Sequence, residues 1–240
     1  MSKTAPGLAL GEKEKESSSL EQSKHLLRTK LFVPPIRSKQ IARPRLSDLI
    51  NTGLDQALIL VSAPAGYGKT TLVSSWLKEK QIPSAWLSLD GSDNDPGQFL
   101  SYLVGALQKI NPAIGISQVN RIQTAEASDS EAVYADVIIN LVNEISLQPS
   151  PFLLVLDDCH VLKNQTVLQL VIFLVEHQPA PLRLMLLSRE DLPLPVSRLR
   201  ARRQITEFRQ SDLQFSLKEA DDFLRVGMGI HQLSDNDIQA

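Results

Sequence analysis

The sequence predicts an α/β protein with a three-layer α/β/α arrangement around a mostly parallel sheet. A continuous apolar run at residues 152–156 and a run at 182–187 that is apolar except for Arg183 have the length and the lack of polar alternation expected of strands buried on both faces. Further strand candidates lie at 57–62 and 84–89, and helix-like segments separate the four runs. Strands that alternate with helices along a chain indicate parallel pairing through crossover connections.

The expected order of elements begins near Arg28. Residues 1–27 form a polar tail, rich in Glu, Lys and Ser, which is expected to be disordered. A short helix pattern then occupies 41–50, because its apolar residues at positions 46, 49 and 50 share one helix face. This helix leads into the first strand, a glycine-containing turn and a second helix.

Two longer helices are predicted between the middle strands. The first is expected to begin at Pro96, a residue type that suits the first helical position. Asp95, just before it, has the residue type of an N-cap. A looser stretch at 111–129 then precedes the second, which is expected to be capped by Ser130. Trp76 and Trp86 are expected to anchor the core.

Beyond residue 188 the pattern changes. A short strand is predicted at 204–208, and Ser216 and Glu219 have the spacing of a capping box that opens another helix. We therefore predict a principal domain at 28–210 and, at 211–240, the beginning of a second, small helical unit. The chain is expected to be a fragment of a longer protein.

Composition excludes several functional classes. The 240 residues carry a net charge of −2 and 42% hydrophobic residues, which describes an ordinary globular protein with no electrostatic basis for autonomous nucleic-acid binding. The single cysteine, Cys159, cannot form an intramolecular disulfide, and no apolar stretch approaches the roughly 20 residues that span a bilayer. We expect a cytoplasmic protein that does not bind membranes.

A phosphate-binding motif follows the first strand, where residues 63–71 read Ala-Pro-Ala-Gly-Tyr-Gly-Lys-Thr-Thr. The glycines let the backbone curl so that its N–H groups can surround a phosphate. Lys69 is expected to contact the β- and γ-phosphates of ATP, and Thr70 to offer its hydroxyl to Mg²⁺. The motif departs from its strict form only at Ala63, which replaces a glycine. The predicted nucleotide-binding residues are Pro64, Ala65, Gly66, Tyr67, Gly68, Lys69, Thr70 and Thr71.

Two acids follow the buried strand at 152–156. Asp157 has the position at which P-loop enzymes place a Mg²⁺-binding carboxylate, so it is expected to complete the metal site with Thr70. Asp158 is expected to position a water. Since an aspartate reaches less far than the glutamate that many efficient hydrolases use, slow hydrolysis is expected. Arg189 follows the strand at 182–187 and is expected at the same sheet edge, on the γ-phosphate.

Two other groups of residues invite a functional interpretation. The arginines at 198–209 could suggest a nucleic-acid surface, but only one aromatic residue, Phe208, is interleaved to stack on bases. We therefore favour the interpretation that they form the solvated face of a helix. His160, His177 and Cys159 lack the spacing of zinc ligands, so packing or surface roles are predicted for them.

Eight short motifs occur in a recognisable order between residues 28 and 225. They are Thr29-Lys-Leu31, the loop at 62–71, Trp86-Leu-Ser-Leu-Asp90, Asp93-Asn-Asp-Pro96, Leu154-Val-Leu-Asp-Asp158, His177-Gln-Pro179, Leu187-Ser-Arg189 and Leu199-Arg-Ala-Arg202. Together they resemble the amino-terminal nucleotide-binding region of the MalT-like, ATP-binding LuxR-type transcription regulators, a branch of the STAND class of P-loop NTPases.

The resemblance implies a switch. In that family ADP holds a resting form, while ATP with an inducer favours self-association and promoter binding. It implies the roles given above for Lys69, Thr70 and Asp157, a γ-phosphate sensor at Arg189, and Arg45 near the base. A winged-helix part would begin after residue 216. The inducer and helix-turn-helix domains are absent from this sequence, so the chain is expected to bind ATP or ADP without reading DNA.

Two other functions stay open on the sequence alone. The same phosphate site would serve a free-standing P-loop ATPase or kinase. A degenerate interaction domain would keep the sheet and bind no nucleotide.

Overall fold

The computed structural model describes residues 26–36, 41–125 and 130–227. Within these ranges five parallel strands form one sheet in the order β2-β3-β4-β1-β5. The strands are β1 (Leu58–Ser62), β2 (Ser84–Ser88), β3 (Phe152–Asp157), β4 (Leu182–Ser188) and β5 (Ile205–Phe208). The predicted α/β class is confirmed, and each strand lies within two residues of its predicted position.

The helices are α1 (Pro44–Gly53), α2 (Lys69–Lys80), α3 (Pro96–Leu107), α4 (Ile116–Gln123), α5 (Ser130–Ser146), α6 (Gln165–Glu176), α7 (Val196–Ala201), α8 (Gln210–Leu213) and α9 (Leu217–Asp222). Short 3₁₀ turns occupy Arg28–Leu31, Gly91–Asn94 and Cys159–Val161, and a π-helical turn occupies Phe223–Gly227. The predictions for residues 1–25 and 228–240 lie outside the described residues. So do residues 126–129, which precede α5. Ser130, predicted as the N-cap of this helix, is the first residue of α5, and its capping role stays a prediction.

Helices cover both faces of the sheet because its strands are apolar on both sides. In β1, Leu58 and Leu60 pack in the core formed with α3, α5 and α6, whereas Ile59 and Val61 pack in the core formed with α1 and α2. Successive side chains of a strand point to opposite faces, so a continuous apolar run is buried only between two helical layers. The three-layer arrangement follows from that pattern.

Local signals in the sequence fix several helix ends. Asp95 Oδ1 accepts a hydrogen bond from the Gln98 N–H at 2.7 Å and caps α3, as predicted. The predicted capping box of α9 is also present, because Glu219 N–H donates to Ser216 Oγ and Ser216 N–H donates to Glu219 Oε2. Both tryptophans are 1% exposed, which confirms their prediction as core anchors.

The stretch at 111–129 contains a helix, α4, which the sequence analysis missed. Its apolar residues are only Ile116, Val119 and Ile122, and Ile122 is the one that is buried. Gly115 precedes it with φ of 72°, and its N–H donates to Glu144 Oε2 of α5 at 2.5 Å. A tertiary contact therefore helps to hold a helix whose own periodic pattern is weak.

A buried ion pair attaches the amino-terminal turn to the end of β2. The Lys30 ammonium lies 2.5 Å from Asp93 Oδ2, and the two side chains are 6% and 0% exposed. Lys30 also lies 3.1 Å from Asp90 Oδ2 and 4.2 Å from the centre of the Tyr102 ring. Burial of charges is costly unless they are paired, so these contacts make Lys30 hard to replace.

Lys30→Met should destabilise the fold, because it leaves the Asp93 carboxylate buried without its counter-ion. Removal of one partner of a buried pair costs about 3–5 kcal/mol, and we expect a loss of free energy of unfolding in that range by urea denaturation. Lys78→Met on the exposed side of α2 is the matched control and should change little. A loss below about 1 kcal/mol for Lys30→Met, the value of a surface pair, would contradict the buried pairing.

Candidate functional site

The loop between β1 and α2 requires its two glycines for backbone reasons. Gly66 and Gly68 have φ angles of 89° and 73°, a left-handed conformation that other residues rarely adopt. A Cβ at either position would meet no heavy atom within 4 Å, so conformation and not space selects glycine. Gly68 directly precedes α2, so the loop turns straight into a helix N-terminus, which attracts anions.

Lys69 reaches back under the loop. Its ammonium donates to the carbonyl oxygens of Ala63 at 2.7 Å and Pro64 at 3.0 Å. Burial lowers the pKa of Lys69, and the nearby Asp158 carboxylate opposes this effect. The loop therefore encloses a fixed positive charge that has no carboxylate in ion-pair contact among the described residues.

Thr70 and Asp157 join α2 to the end of β3. The Thr70 hydroxyl donates to Asp157 Oδ2 at 2.9 Å, and the Asp158 N–H donates to Asp157 Oδ1 at 2.9 Å. Asp157 is 3% exposed, and burial raises its pKa to about 6, although the Thr70 hydrogen bond acts in the opposite direction. A hydroxyl and a carboxylate side by side are the hard oxygen ligands that Mg²⁺ accepts, so the pair fits that ion.

A cluster of charged and polar side chains lies beside the phosphate loop. Asp158 has a φ of 59°, and its Oδ1 lies 3.5 Å from Arg189 Nε and 3.6 Å from His160 Nδ1. Lys163 pairs with Glu190, the residue after Arg189. Burial lowers the pKa of His160, so the imidazole is neutral at physiological pH. The structure thus brings the three expected catalytic residues to the same edge of the sheet.

One open cavity of about 1310 Å³ adjoins these groups. Residues 65–71, Asp158 and Arg189 line it, whereas Pro64 and Asp157 do not line it but contact the lining residues Lys69 and Thr70. Residues 34–36, Ile41, Phe215 and Phe223 also line the cavity. The cavity wall therefore combines the polar groups of the phosphate loop with apolar and aromatic side chains.

Arg43 is a charged cavity residue that sequence reasoning missed. Its guanidinium lies 3.2 Å from Glu219 and donates to the carbonyl oxygens of Leu213 at 2.9 Å and Gln214 at 2.8 Å. It also lies 4.7 Å from the centre of the Phe215 ring. Arg43 therefore binds the carboxyl-terminal segment to the rim of the cavity, and only its position before Pro44 could have drawn attention to it.

Arg45, for which the resemblance implies a place near the base, contacts the carboxyl-terminal segment, and its proximity to a base stays a prediction. Its guanidinium donates to the Asp212 carbonyl at 2.6 Å, and the residue does not line the cavity. Arg45 lies on the exposed side of α1, next to the buried Leu46, and its side chain reaches α8. Arg43, two residues earlier, does line the cavity.

A parallel α/β sheet with a glycine-rich phosphate loop between its first strand and the following helix defines a P-loop NTPase. Residues 34–187 match the sequence model of the AAA ATPase domain, so the chain belongs to this family. Within the described residues no group of three or more His, Cys, Asp or Glu side chains could hold a metal. Magnesium would thus need phosphate oxygens and water besides Thr70 and Asp157.

The chain is also similar to regulators of the MalT type. It is 36% identical over 198 residues to the HTH-type transcriptional regulator MalT of Serratia proteamaculans, with 82% of this chain and 21% of that protein covered. For the Vibrio cholerae MalT the values are 34% over 214 residues, 88% and 22%. The chain spans about a fifth of the length of these relatives. The resemblance to MalT-like ATPase regions, expected from the eight motifs, is confirmed.

Among solved structures, a structure of PCH-2 from C. elegans covers 78% of this chain and 45% of its own, with a TM-score of 0.41 and 13% identity. A structure of Drosophila ORC bound to GC-rich DNA and Cdc6 covers 94% and 37%, with a TM-score of 0.42 and 13% identity. In the part of the chain that the structure describes, no helix has the length and apolarity to cross a membrane.

Asp157→Asn should stabilise the protein when nucleotide and metal are withheld. Because the pKa of Asp157 is raised from 3.8 to about 6, the ionised carboxylate opposes folding. The loss of stability caused by the ionised carboxylate is complete above about pH 6 and shrinks as the pH falls from 6 to 4. It vanishes below the pKa of Asp157 in the unfolded chain, 3.8. We expect the amide to raise the free energy of unfolding by about 1–3 kcal/mol at pH 7.5 in EDTA, and by almost nothing at pH 4.

The measurement is urea denaturation of both proteins at several pH values. Asp48→Asn, an exposed carboxylate on α1, is the matched control and should show no such difference. A less stable Asp157→Asn protein at pH 7.5 would contradict the raised pKa.

Proposed function

We propose that this chain contains the nucleotide-binding regulatory module of a MalT-like transcription regulator. It binds ATP or ADP with Mg²⁺, hydrolyses ATP slowly, and changes its contacts with the state of the nucleotide. One observation carries the proposal: the phosphate loop, the acid that follows β3 and the carboxyl-terminal segment all meet at a single cavity. The relatives named as transcription regulators support the regulatory part.

The phosphates bind beside the phosphate loop. The N–H groups of residues 65–71 and the positive end of α2 would surround the β-phosphate, and Lys69 would contact the β- and γ-phosphates. Thr70 and Asp157 hold Mg²⁺, which when bound neutralises charge on the two outer phosphates. Asp157 keeps its carboxylate aimed at this place because the Thr70 hydroxyl and the Asp158 N–H bind its two oxygens.

The base binds against the apolar part of the cavity lining. This part includes residues 34–36, Ile41, Phe215 and Phe223, and the two rings lie 5.4 Å apart, centre to centre. Apolar and aromatic surfaces bury a purine with little need for specific hydrogen bonds. Phe215 and Phe223 belong to the segment that follows β5, so a bound base touches two parts of the chain.

Slow hydrolysis follows from the groups beside the loop. Asp158 stands where an activating carboxylate is needed, but its oxygen already lies near both Arg189 and His160. The carboxylate must leave these contacts before it can orient a water. Arg189, half exposed at the cavity wall, would exchange its contact with Asp158 for a γ-phosphate and thereby distinguish ATP from ADP.

The switch acts through the carboxyl-terminal segment. We assign residues 28–210 to the ATPase domain and 211–240 to the beginning of a winged-helix unit. Arg43 binds that segment, and Gln210 donates to the Tyr67 hydroxyl of the phosphate loop at 2.7 Å. The switch is an equilibrium between two arrangements of this segment against the phosphate loop. A nucleotide shifts that equilibrium only if its affinity for the two arrangements differs, and the γ-phosphate of ATP supplies the difference. The chain would be cytoplasmic and would self-associate in the ATP state, while other parts of the full-length regulator read DNA.

A free-standing P-loop ATPase or kinase uses the same phosphate site. Its turnover without any partner would lie near the ~1–100 s⁻¹ that is typical of kinases. The contacts of Asp158 argue against such a rate for this chain.

Lys69→Ala should abolish binding of Mg-ATP and Mg-ADP, because it removes the one buried cation under the phosphate loop. Isothermal titration calorimetry measures both affinities. Lys78→Ala removes an exposed lysine from the same helix outside the cavity and should bind as the wild type does. Unchanged affinity in Lys69→Ala would refute the nucleotide site.

Arg189→Ala should weaken binding of a non-hydrolysable ATP analogue by about tenfold or more, since a hydrogen bond to a charged group contributes ~1.5–3 kcal/mol. Its ADP affinity should stay unchanged, because ADP lacks the γ-phosphate. Arg200→Ala, which removes an arginine paired with Glu207 outside the cavity, controls for net charge. An equal loss for both nucleotides, or none for either, would exclude Arg189 as a sensor.

A further inference from the structure

A second cavity lies at the opposite edge of the sheet from the phosphate loop, where β1, β4 and β5 begin. Its volume is about 490 Å³, within the ~300–1,000 Å³ range of small-molecule sites. Its walls come from residues 55–57 before β1, residues 178–180 before β4 and the carboxyl-terminal end of α7. We name it the arginine cavity. The chemistry proposed for the nucleotide site does not use it.

Three arginines of the basic segment at 198–209 line this cavity. Their side chains are exposed and make no hydrogen bond or ion pair with any residue that the structure describes. The other two arginines of the segment are neutralised, because Arg200 pairs with Glu207, and Arg209 pairs with Glu207 and Asp191. The basic segment thus divides into a paired part and an unpaired part, and the unpaired part surrounds the cavity. Its members are Arg198, Arg202 and Arg203.

Arg183 adds a fourth guanidinium, and this one is fixed in place. Its Nε donates to the Leu54 carbonyl at 2.9 Å, and its Nη1 donates to the carbonyls of Ala180 at 2.8 Å and Leu182 at 2.9 Å. Carbonyl oxygens hold the group without cancelling its charge. A cation held by three hydrogen bonds therefore forms part of the wall beside three exposed, unpaired ones.

The charge of the wall is positive in a chain that is negative overall. Four arginines line the cavity against two carboxylates, Asp55 and Glu176, which leaves a formal charge of +2, whereas the whole chain carries −2. Guanidinium groups bind phosphate and carboxylate oxygens in pairs, which makes several unpaired arginines around a concavity selective for such anions. The two carboxylates can accept hydrogen bonds only from hydroxyl or N–H groups.

We propose that the arginine cavity binds a small hydroxylated organic anion, whose phosphate or carboxylate group contacts Arg198 and Arg202 and whose hydroxyls donate to Asp55 and Glu176. The concave shape favours a small molecule, and the segment lacks the interleaved aromatic residues of a nucleic-acid platform. Since the phosphate loop lies at the other edge of the sheet, this ligand binds without displacing the nucleotide.

The test is calorimetry of the full chain at fixed ionic strength with glucose 6-phosphate, citrate and inorganic phosphate as probes. We expect saturable one-to-one binding of glucose 6-phosphate or citrate, and the one that binds assigns the anionic group as phosphate or carboxylate. Saturating ADP should leave that binding unchanged. Inorganic phosphate should bind at least tenfold more weakly than the organic probe, because it cannot reach the two carboxylates.

The variant Arg198→Ala/Arg202→Ala should lower the affinity for the organic probe at least tenfold. Arg200→Ala lies on the same helix but outside the cavity, and should stay within twofold of the wild type. Arg202→Gln alone should act in the same direction, and circular dichroism checks that each variant is folded. No saturable binding of any probe, displacement by ADP, equal binding of inorganic phosphate, or an equal loss in Arg200→Ala would overturn the proposal.

Discussion

The parallel register of the central strands is the constraint on which the nucleotide site depends. Ser62 pairs with Ser188, and Leu156 pairs with Leu186, so β1, β3 and β4 end at the same level. The phosphate loop and Arg189 follow the ends of β1 and β4, and Asp157 is the last residue of β3, so the three meet at one edge. Parallel strands with both faces covered have little freedom to slip, because a shift of one residue would turn their apolar side chains to the wrong layer.

The site carries a cost that the rest of the fold has to offset. Asp157 is buried and its pKa is raised, Lys69 is buried without a carboxylate in contact, and Asp158 adopts a left-handed backbone. Perturbed charges of this kind concentrate where a protein binds ions or reacts. The buried pair of Lys30 and Asp93 is different, because each charge has its partner and the pair connects two elements outside the phosphate loop.

The sequence predicts what is encoded locally. Apolar runs identify the strands, Asp95 and Ser216 identify helix starts, and the spacing of Gly66 to Thr70 identifies the loop. It does not predict which strands are neighbours, because β1 lies between β4 and β5 only through contacts more than a hundred residues apart. For the same reason it missed Arg43, whose partners near residue 213 lie about 170 positions away.

The proposed switch requires that the phosphate loop and residues 210–225 share one cavity. Hydrogen–deuterium exchange of the wild-type chain, saturated in turn with Mg-ADP and with a non-hydrolysable Mg-ATP analogue, tests it most directly. The account predicts that amide exchange in residues 210–225 differs between the two nucleotides, while amides of β1 and β4 exchange equally in both. Identical exchange of residues 210–225 in the two complexes would contradict it.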